Sequence, residues 1–416
     1  MQIMNFKKFL IFLIFCMFLA VLSYSIGVKS AIDKNKAYFA TKEIKVVIYH
    51  KYNQLKNLLQ VKRNLFNKKT PGVIKLFYAN DFTLGLTHLD DIENSEKTAG
   101  FILDNGNIIK YEQADIDKYW EEWSLSDFML NANPTRFRGG GLKQIFQHKD
   151  QTFIFASLKN GNECYFASLI NITKRHEIFR TPCLPKVDEI DFSSIGGAWV
   201  SRGNGILLSV GTPSDTKNIA SLAQDTSSPY GKILYFSDSR LTNKNNNSFD
   251  FTVQSIGHRN PQGMTNLSGL IFSIDHGAKG GDEINLIEDN GNYGWPIYSL
   301  GSSYQGSPFK VYPSGQKINS PLYSFIPSVA PSDIIECPKL LSERYSPLRC
   351  VLITTLRGQS LIIGTINNKN QIASFEKIEV GMRLREFLFL PDGGLAVSTD
   401  DYGVFEISIL DMAKGN

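Results

Sequence analysis

The 416-residue sequence holds no Cys-x-x-Cys pair, only five cysteines and six histidines, and no Cys/His cluster at zinc-ligand spacing. A thiolate metal centre of the zinc-finger or zinc-ribbon kind is thereby excluded. Charge of one sign is not in excess either. The 44 Lys and Arg stand against 40 Asp and Glu, a net +4 that gives no electrostatic argument for nucleic acid, and no such partner is expected. Long apolar runs are missing with one exception, and residues 30–69 contain neither proline nor glycine. What remains, 42% hydrophobic and 20% charged, is the composition of a folded globular chain. Its length allows one large domain or two ordinary ones.

The exceptional apolar run extends from Phe9 to about Val28 and is preceded by Lys7 and Lys8. It has the length to span a bilayer, and the lysines would keep its N-terminal side cytoplasmic. The competing reading is a cleaved signal peptide with Ser23 and Ser25 flanking the cut. No lipobox precedes Cys16. Residues 1–28 are thus expected to be a membrane anchor or signal peptide, the uncleaved anchor being preferred. The rest of the chain is then exported, tethered to the inner membrane and facing the periplasm or extracellular space. Across residues 29–70, Ile44, Val47, Ile48, Tyr52, Leu55, Leu58 and Leu59 recur three and four apart, which predicts an amphipathic helix. A stalk is the plain interpretation, a partner-binding helix the sharper one, and Pro71-Gly72 ends it.

From residue 71 to 416 short β-type runs alternate with Gly, Asn, Asp and Pro. A turn followed by an apolar strand recurs at Asp104–Ile109, Gly203–Leu208, Leu267–Phe272 and Pro391–Val397. Intervals of about 60 residues, or multiples of that, point to an all-β architecture of repeated four-stranded blades. The four cysteines outside the apolar run fall in near pairs, Cys164 with Cys183 and Cys337 with Cys350. In an oxidising compartment they suit two local disulfides, with buried free thiols as the alternative.

The stretch from Gly257 to Pro296 is the richest in chemistry. It carries a Gly-His-Arg-Asn turn, the glycines Gly277, Gly280 and Gly281, the acidic pair Asp282-Glu283, and Asn292-Tyr293-Gly294-Trp295-Pro296. Such glycines let a backbone approach a ligand, and inward carbonyls beside carboxylates suit a hard cation such as calcium. Arg259 and Asn260 offer planar donors to a carboxylate. A plain cluster of β-turns would carry the same residues.

This stretch resembles the signature region of the soluble PQQ-dependent glucose and aldose sugar dehydrogenases. The likeness rests on Arg259-Asn260-Pro261-Gln262-Gly263, Asp275-His276-Gly277-Ala278, Gly281–Ile287 and Asn292–Pro296. Weaker echoes run from Arg138 to the C-terminus. The resemblance implies a six-bladed β-propeller binding PQQ and calcium at one end of its axis, and oxidising the C1 hydroxyl of a sugar. By the same resemblance Arg259, Asn260, Arg357, Arg383 and Arg385 would contact the cofactor, and the carbonyls of Gly277 and Ala278 its calcium. Ala278 replaces the family's proline. Glu283 and the carbonyl of Tyr293 would hold a second, structural calcium, and 326–332 would line the pocket.

Two departures weigh against the family's turnover. Ser194 stands where the resemblance puts the catalytic histidine, and Gly139 where it puts a glutamine. An unassisted serine hydroxyl is no base near neutral pH. His258, next to Arg259, is the first substitute to consider. Two readings follow: a membrane-anchored sugar dehydrogenase with another base, or a propeller that binds a sugar or anionic ligand without turnover.

Overall fold

The structure, a computed structural model, describes residues 73–411 except 79–81, 89–97, 105–106, 113–131, 135–140, 161–163, 185–189, 244–248, 305, 308, 310–316, 390–393 and 401–403. The expected anchor, the stalk and Gly139 lie outside the described residues. Among those described, no helix is long and apolar enough to cross a membrane.

Residues Val73–Asn416 form a compact unit built almost wholly of strands. Four blades follow one another along the chain. The first is Gly141–His148, Gln151–Asn160, Cys164–Asn171 and His176–Arg180, with Ala132–Pro134 added beside Gln151–Asn160. The second comprises Gly196–Ser201, Gly205–Val210, Lys232–Ser237 and Thr252–Ile256, extended by the short parallel strand Gly291–Asn292. The third comprises Pro261–Leu267, Leu270–Asp275, Asp282–Leu286 and Tyr323–Phe325; the fourth Pro331–Glu336, Arg349–Thr355, Ser360–Ile366 and Ile372–Glu379.

A fifth, closing blade joins the two ends of the fold. Phe82–His88 pairs antiparallel with Val404–Asp411, so Val73–Tyr78 and Phe82–His88 complete the sheet begun by Leu384–Phe389 and Leu395–Thr399. The β-propeller expected from the sequence is therefore present; against the six blades implied by the resemblance, the described residues form five full blades and the two-stranded sheet of Thr98–Asp104 and Asn107–Glu112. That smaller sheet lies beside the first blade.

Each blade enters at the axis. Gly141–His148, Gly196–Ser201, Pro261–Leu267, Pro331–Glu336 and Leu384–Phe389 are the first strands, and each lies against the next around the ring. Second strands such as Gly205–Val210 and Ser360–Ile366 are buried along their whole length, whereas the outer strand Ile372–Glu379 carries exposed Glu and Lys. Strands covered on both faces read as continuous apolar runs, which is why the alternation in the sequence is weak.

The recurring turn marks one position in the repeat, the hairpin from first to second strand. At Ser268-Gly269 both residues have positive φ (56° and 85°), the geometry a tight two-residue hairpin needs. The fourth blade lacks the theme because the helix Lys339–Tyr345 is inserted there. A Cys337–Cys350 disulfide, Cα–Cα 5.3 Å, ties the base of that insertion. Cys164–Cys183, Cα–Cα 5.0 Å, ties the third strand of the first blade to the segment leading into the second. Both expected pairings are formed.

Apolar side chains fill the wedges between blades. Phe146, Phe155, Phe179, Phe192 and Phe236 pack the first blade on the second, and Phe272, Ile274, Ile334 and Ile353 the third on the fourth. Each such side chain contributes about 1.5–3 kcal/mol on burial.

Candidate functional site

The hairpins leave at one end of the ring; the segments that feed the first strands gather at the other. They enclose a cavity of about 790 Å³. Its wall draws on 191–194 and 213–216 of the second blade, 259–262 and 276–282 of the third, 328–330 and 356–357 of the fourth, and Arg383 and Arg385 of the closing blade. Ser303, Tyr304 and Phe309 complete it. Ser194, Arg259, Asn260, Gly277, Ala278, Arg357, Arg383 and Arg385, scattered over 192 positions of sequence, thus face one space.

The arginines are not equivalent. Arg259 is buried at 9% exposure, and its guanidinium forks onto Asp215, with Nε and Nη2 donating to the two carboxylate oxygens at 2.9 and 3.0 Å. Its Nη1 donates to the carbonyls of His276 (3.2 Å) and Gly277 (2.8 Å), and the group sits 5.3 Å from the Trp295 ring. Arg383 and Arg385 share one carboxylate, Asp400. Burial alone would push that acid up, but Arg385 and Arg383 hold it below its usual range. Arg357 is exposed on the cavity wall, as is Lys279. Two guanidinium groups on one carboxylate, with two further cations, leave that wall positive.

The Gly-rich loop is held from within. The Asp282 carboxylate accepts from the backbone N–H groups of Gly277 (3.0 Å), Val329 (2.9 Å) and Ala330 (2.7 Å) and from the Ser328 hydroxyl (2.5 Å). Asp275 does the same for the Arg259 and Asn260 N–H groups, at 3.1 and 2.6 Å. At Gly277 a Cβ would come within 2.3 Å of the Gly280 carbonyl oxygen, so only glycine closes this turn. No hydrogen bond reaches the Ala278 carbonyl among the described residues, whereas that of Gly277 already accepts from Arg259.

A second, much smaller pocket lies behind the loop, bordered by Asp275, Gly281, Glu283, Tyr293, Tyr298 and Ser299. Register places Ser273 opposite Asn285, Asp275 opposite Glu283 and Glu283 opposite Ser324, all on one face of the third blade. Among the described residues the Glu283 carboxylate has a single hydrogen-bond partner, Asn285 Nδ2 at 3.2 Å, and burial, reinforced by the charge of Asp275, pushes its carboxyl up to about 8. Ser273 Oγ, Asn285 Oδ1 and Ser324 Oγ are buried without a partner. Orphan oxygens around a desolvated carboxylate are costly unless a cation or water completes them.

Two histidines flank the signature loop. His276 is half-buried on the cavity wall, with Nε2 donating to the Pro331 carbonyl (2.7 Å) and Nδ1 turned to the Asn260 amide (3.4 Å). Burial lowers its pKa and keeps it neutral. His258 is fully buried, stacked on Tyr293 at 4.7 Å and bonded to Ser255 (2.8 Å), and takes no part in the cavity wall. His258, considered above as a substitute base, thus lies off the cavity wall. Ser194, half-buried, faces the cavity with no imidazole bonded to it.

Asp215, Lys279 and Asp400 were missed from the sequence. Lys279 lies inside the Gly-rich loop and was legible there. Asp400 was legible only through register, since Leu384 pairs with Thr399 and so brings Asp400 beside the Arg-x-Arg pair. Asp215 sits outside any regular element, and nothing in its neighbourhood announced a partner 44 residues away.

Comparison with known proteins supplies the lineage. The glucose/sorbosone dehydrogenase family model matches residues 168–405. The uncharacterized protein slr1608 of Synechocystis sp. is 29% identical over 187 residues, 43% of this chain and 45% of that protein. The aldose sugar dehydrogenase YliI of Escherichia coli is 28% identical over 248 residues, 56% of this chain and 63% of that one. The matches thus span about half to three-fifths of these relatives' lengths. The PQQ-bound aldose sugar dehydrogenase of Streptomyces coelicolor superposes with a TM-score of 0.51 at 20% identity, covering 81% of this chain and 97% of that one, a likeness of fold.

Proposed function

Since the chain belongs to the glucose/sorbosone dehydrogenase family, we propose that its cavity binds an anionic quinone cofactor of the PQQ type, with calcium, and that sugar oxidation is absent or slow. The observation that carries this reading is the convergence of Arg259, Arg357, Arg383, Arg385 and Lys279 on one cavity of about 790 Å³. Like charges gather at a cost unless an anion or neighbouring carboxylates offset them, and among the described residues only Asp215 and Asp400 form ion pairs with these five.

The residues fit the group. Arg357, Arg383, Arg385 and Lys279 would hold carboxylates, and Arg259 would hold a further oxygen once its fork is free. The Gly277 and Ala278 carbonyls would offer calcium its oxygens, as a carbonyl ligand set can. Among the described residues no three His, Cys, Asp or Glu side chains converge on a metal, so carbonyls would carry that site. The orphan oxygens around Glu283 fit a second calcium with the Tyr293 carbonyl. PQQ when bound supplies a two-electron acceptor, and calcium a Lewis acid. Tyr304 and Phe309 on the cavity wall would shield a bound ring from water. Asn260, held by Asp275, would orient it.

Proton removal is the weak link. Hydride loss from a sugar carbon requires a base for the hydroxyl proton. Among the described residues Ser194 has no assisting imidazole, and the unprotonated Nδ1 of His276 is turned to the Asn260 amide at 3.4 Å. This favours a second reading, a propeller that binds its ligand and does not turn over. Two disulfides suit an exported location, with the N-terminal apolar run as tether to the membrane.

Titration of the purified protein with PQQ in calcium, followed by tryptophan fluorescence, tests the reading. Saturable binding that weakens about tenfold or more in Arg357→Ala or Arg383→Ala is expected. Absence of saturable PQQ binding would overturn it.

A further inference from the structure

The fork of Arg259 is already filled. Its Nε and Nη2 meet the two oxygens of Asp215 at 2.9 and 3.0 Å, the bidentate geometry a ligand carboxylate would adopt. We propose that Asp215 is an internal gate, a carboxylate of the chain that occupies Arg259 until an anionic ligand exchanges with it. The inference rests on the reading of the cavity as an anion site, and goes beyond it by naming what the anion must displace.

Three observations carry it. The first is asymmetry of burial: the Arg259 side chain is 10% exposed, that of Asp215 30%. A desolvated guanidinium needs a counter-charge at all times, while a carboxylate at the cavity edge can return to water. The second is tethering. Arg259 is locked by Asp275 on its backbone N–H, by the His276 and Gly277 carbonyls on Nη1 and by Trp295 beneath its plane. Asp215 lies in the irregular run 211–216, and no hydrogen bond to its backbone N–H or carbonyl joins it to the described residues. Its neighbours Ser214 and Thr216 are bonded to each other, so among the described residues the ion pair is what holds the Asp215 side chain, and the side chain alone need move. The third is equivalence of charge. An incoming carboxylate replaces a carboxylate, so the exchange leaves Arg259 paired throughout and breaks nothing else in the wall.

The gate makes a specific demand on ligands. A ligand with one weakly placed anionic group cannot outcompete a covalently tethered Asp215, whose effective concentration is high. A ligand with several carboxylates can anchor first at Arg357, Arg383 and Arg385 and then take the fork. The cavity would thus select polycarboxylated ligands over single anions.

The test compares PQQ binding, by tryptophan fluorescence quenching in calcium, for the wild type, Asp215→Asn and Asp191→Asn. Both variants remove one negative charge from the same cavity wall, but only the first frees the Arg259 fork. The gate requires Asp215→Asn to bind PQQ at least tenfold more tightly than wild type and clearly more tightly than Asp191→Asn. Equal gains in the two variants would reduce the effect to general electrostatics and overturn the gate, as would unchanged or weaker binding in Asp215→Asn. Wild-type binding with no gain overturns the gate alone; no PQQ binding by any of the three overturns the cofactor reading with it. Circular dichroism of each variant, and Asp215→Glu as a charge-preserving second variant expected to bind as the wild type does, separate a lost fold from a lost gate.

Discussion

The carbonyl oxygen of Ser194 lies 2.1 Å from the point where a Cβ at Gly211 would sit. The same Cβ would meet the Arg259 carbonyl oxygen at 2.8 Å, and the Gly211 N–H donates to the Ile195 carbonyl at 2.7 Å. Three segments of the cavity wall therefore cross at a residue without a side chain. Gly211→Ala should force them apart, at about 1–3 kcal/mol, the usual range for overpacking. Urea unfolding with an unchanged midpoint would contradict this close crossing.

Ser194 itself should matter little as it stands. Sugar-dependent dye reduction with PQQ and calcium is expected at or near background in the wild type and equally in Ser194→Ala. Ser194→His restores an imidazole to the cavity, and a general base contributes about 10²–10⁴-fold. A measurable rise is therefore expected. Brisk wild-type oxidation that survives Ser194→Ala would show another base at work.

Calcium should stabilise the third blade through Glu283. A cation that binds only the folded state adds about 2.7 kcal/mol at a hundredfold excess over its Kd. The thermal midpoint of the wild type should rise with calcium, and Glu283→Gln should lose most of that rise. An equal calcium response in both proteins would remove Glu283 from the site.

The axis carries a second pair of desolvated acids. Burial, with Glu386 nearby, pushes Asp333 up to about 8, and burial pushes Glu386 up to about 7 against the pull of Arg385 and Gln144. For acids raised above their unfolded values, the folded state binds more protons, so stability falls as pH rises. Their contribution is complete below about pH 4 and is lost as pH climbs through 7 and 8. The double variant Asp333→Asn with Glu386→Gln should flatten denaturant stability between pH 5 and 8. A slope equal to that of the wild type would place the pH dependence elsewhere.

Lys232 is fully buried, and its amine donates to the carbonyls of Leu222 (2.7 Å), Ala223 (2.9 Å) and Tyr230 (2.8 Å). It pins the far end of the 211–231 connection, whose near end carries Asp215. Lys232→Met would strand the Tyr230 carbonyl, while those of Leu222 and Ala223 keep the Asp225 and Gly257 N–H groups, so a loss of about 1–3 kcal/mol in urea unfolding is expected. A neutral result would mean the connection is held by other contacts.

Local chemistry was written in the sequence. Glycine-bearing turns marked the hairpins from first to second strand because positive φ at Ser268-Gly269 is a property of adjacent residues. Cysteines 19 and 13 positions apart found each other because short loops bring their ends together at small entropic cost. The signature stretch from Gly257 to Pro296 named the loop, its acids and its arginine. What the ring alone decided is how charges pair across it. Whether Arg259 faces a ligand or Asp215, whether Arg383 and Arg385 share Asp400, and whether His258 reaches the cavity or stacks on Tyr293 depend on how blades abut. Spacing along the chain encodes turns and strands, but a side chain's counter-charge is set by distance through space. That distance exists only once the strands at the two ends of the fold have closed the ring.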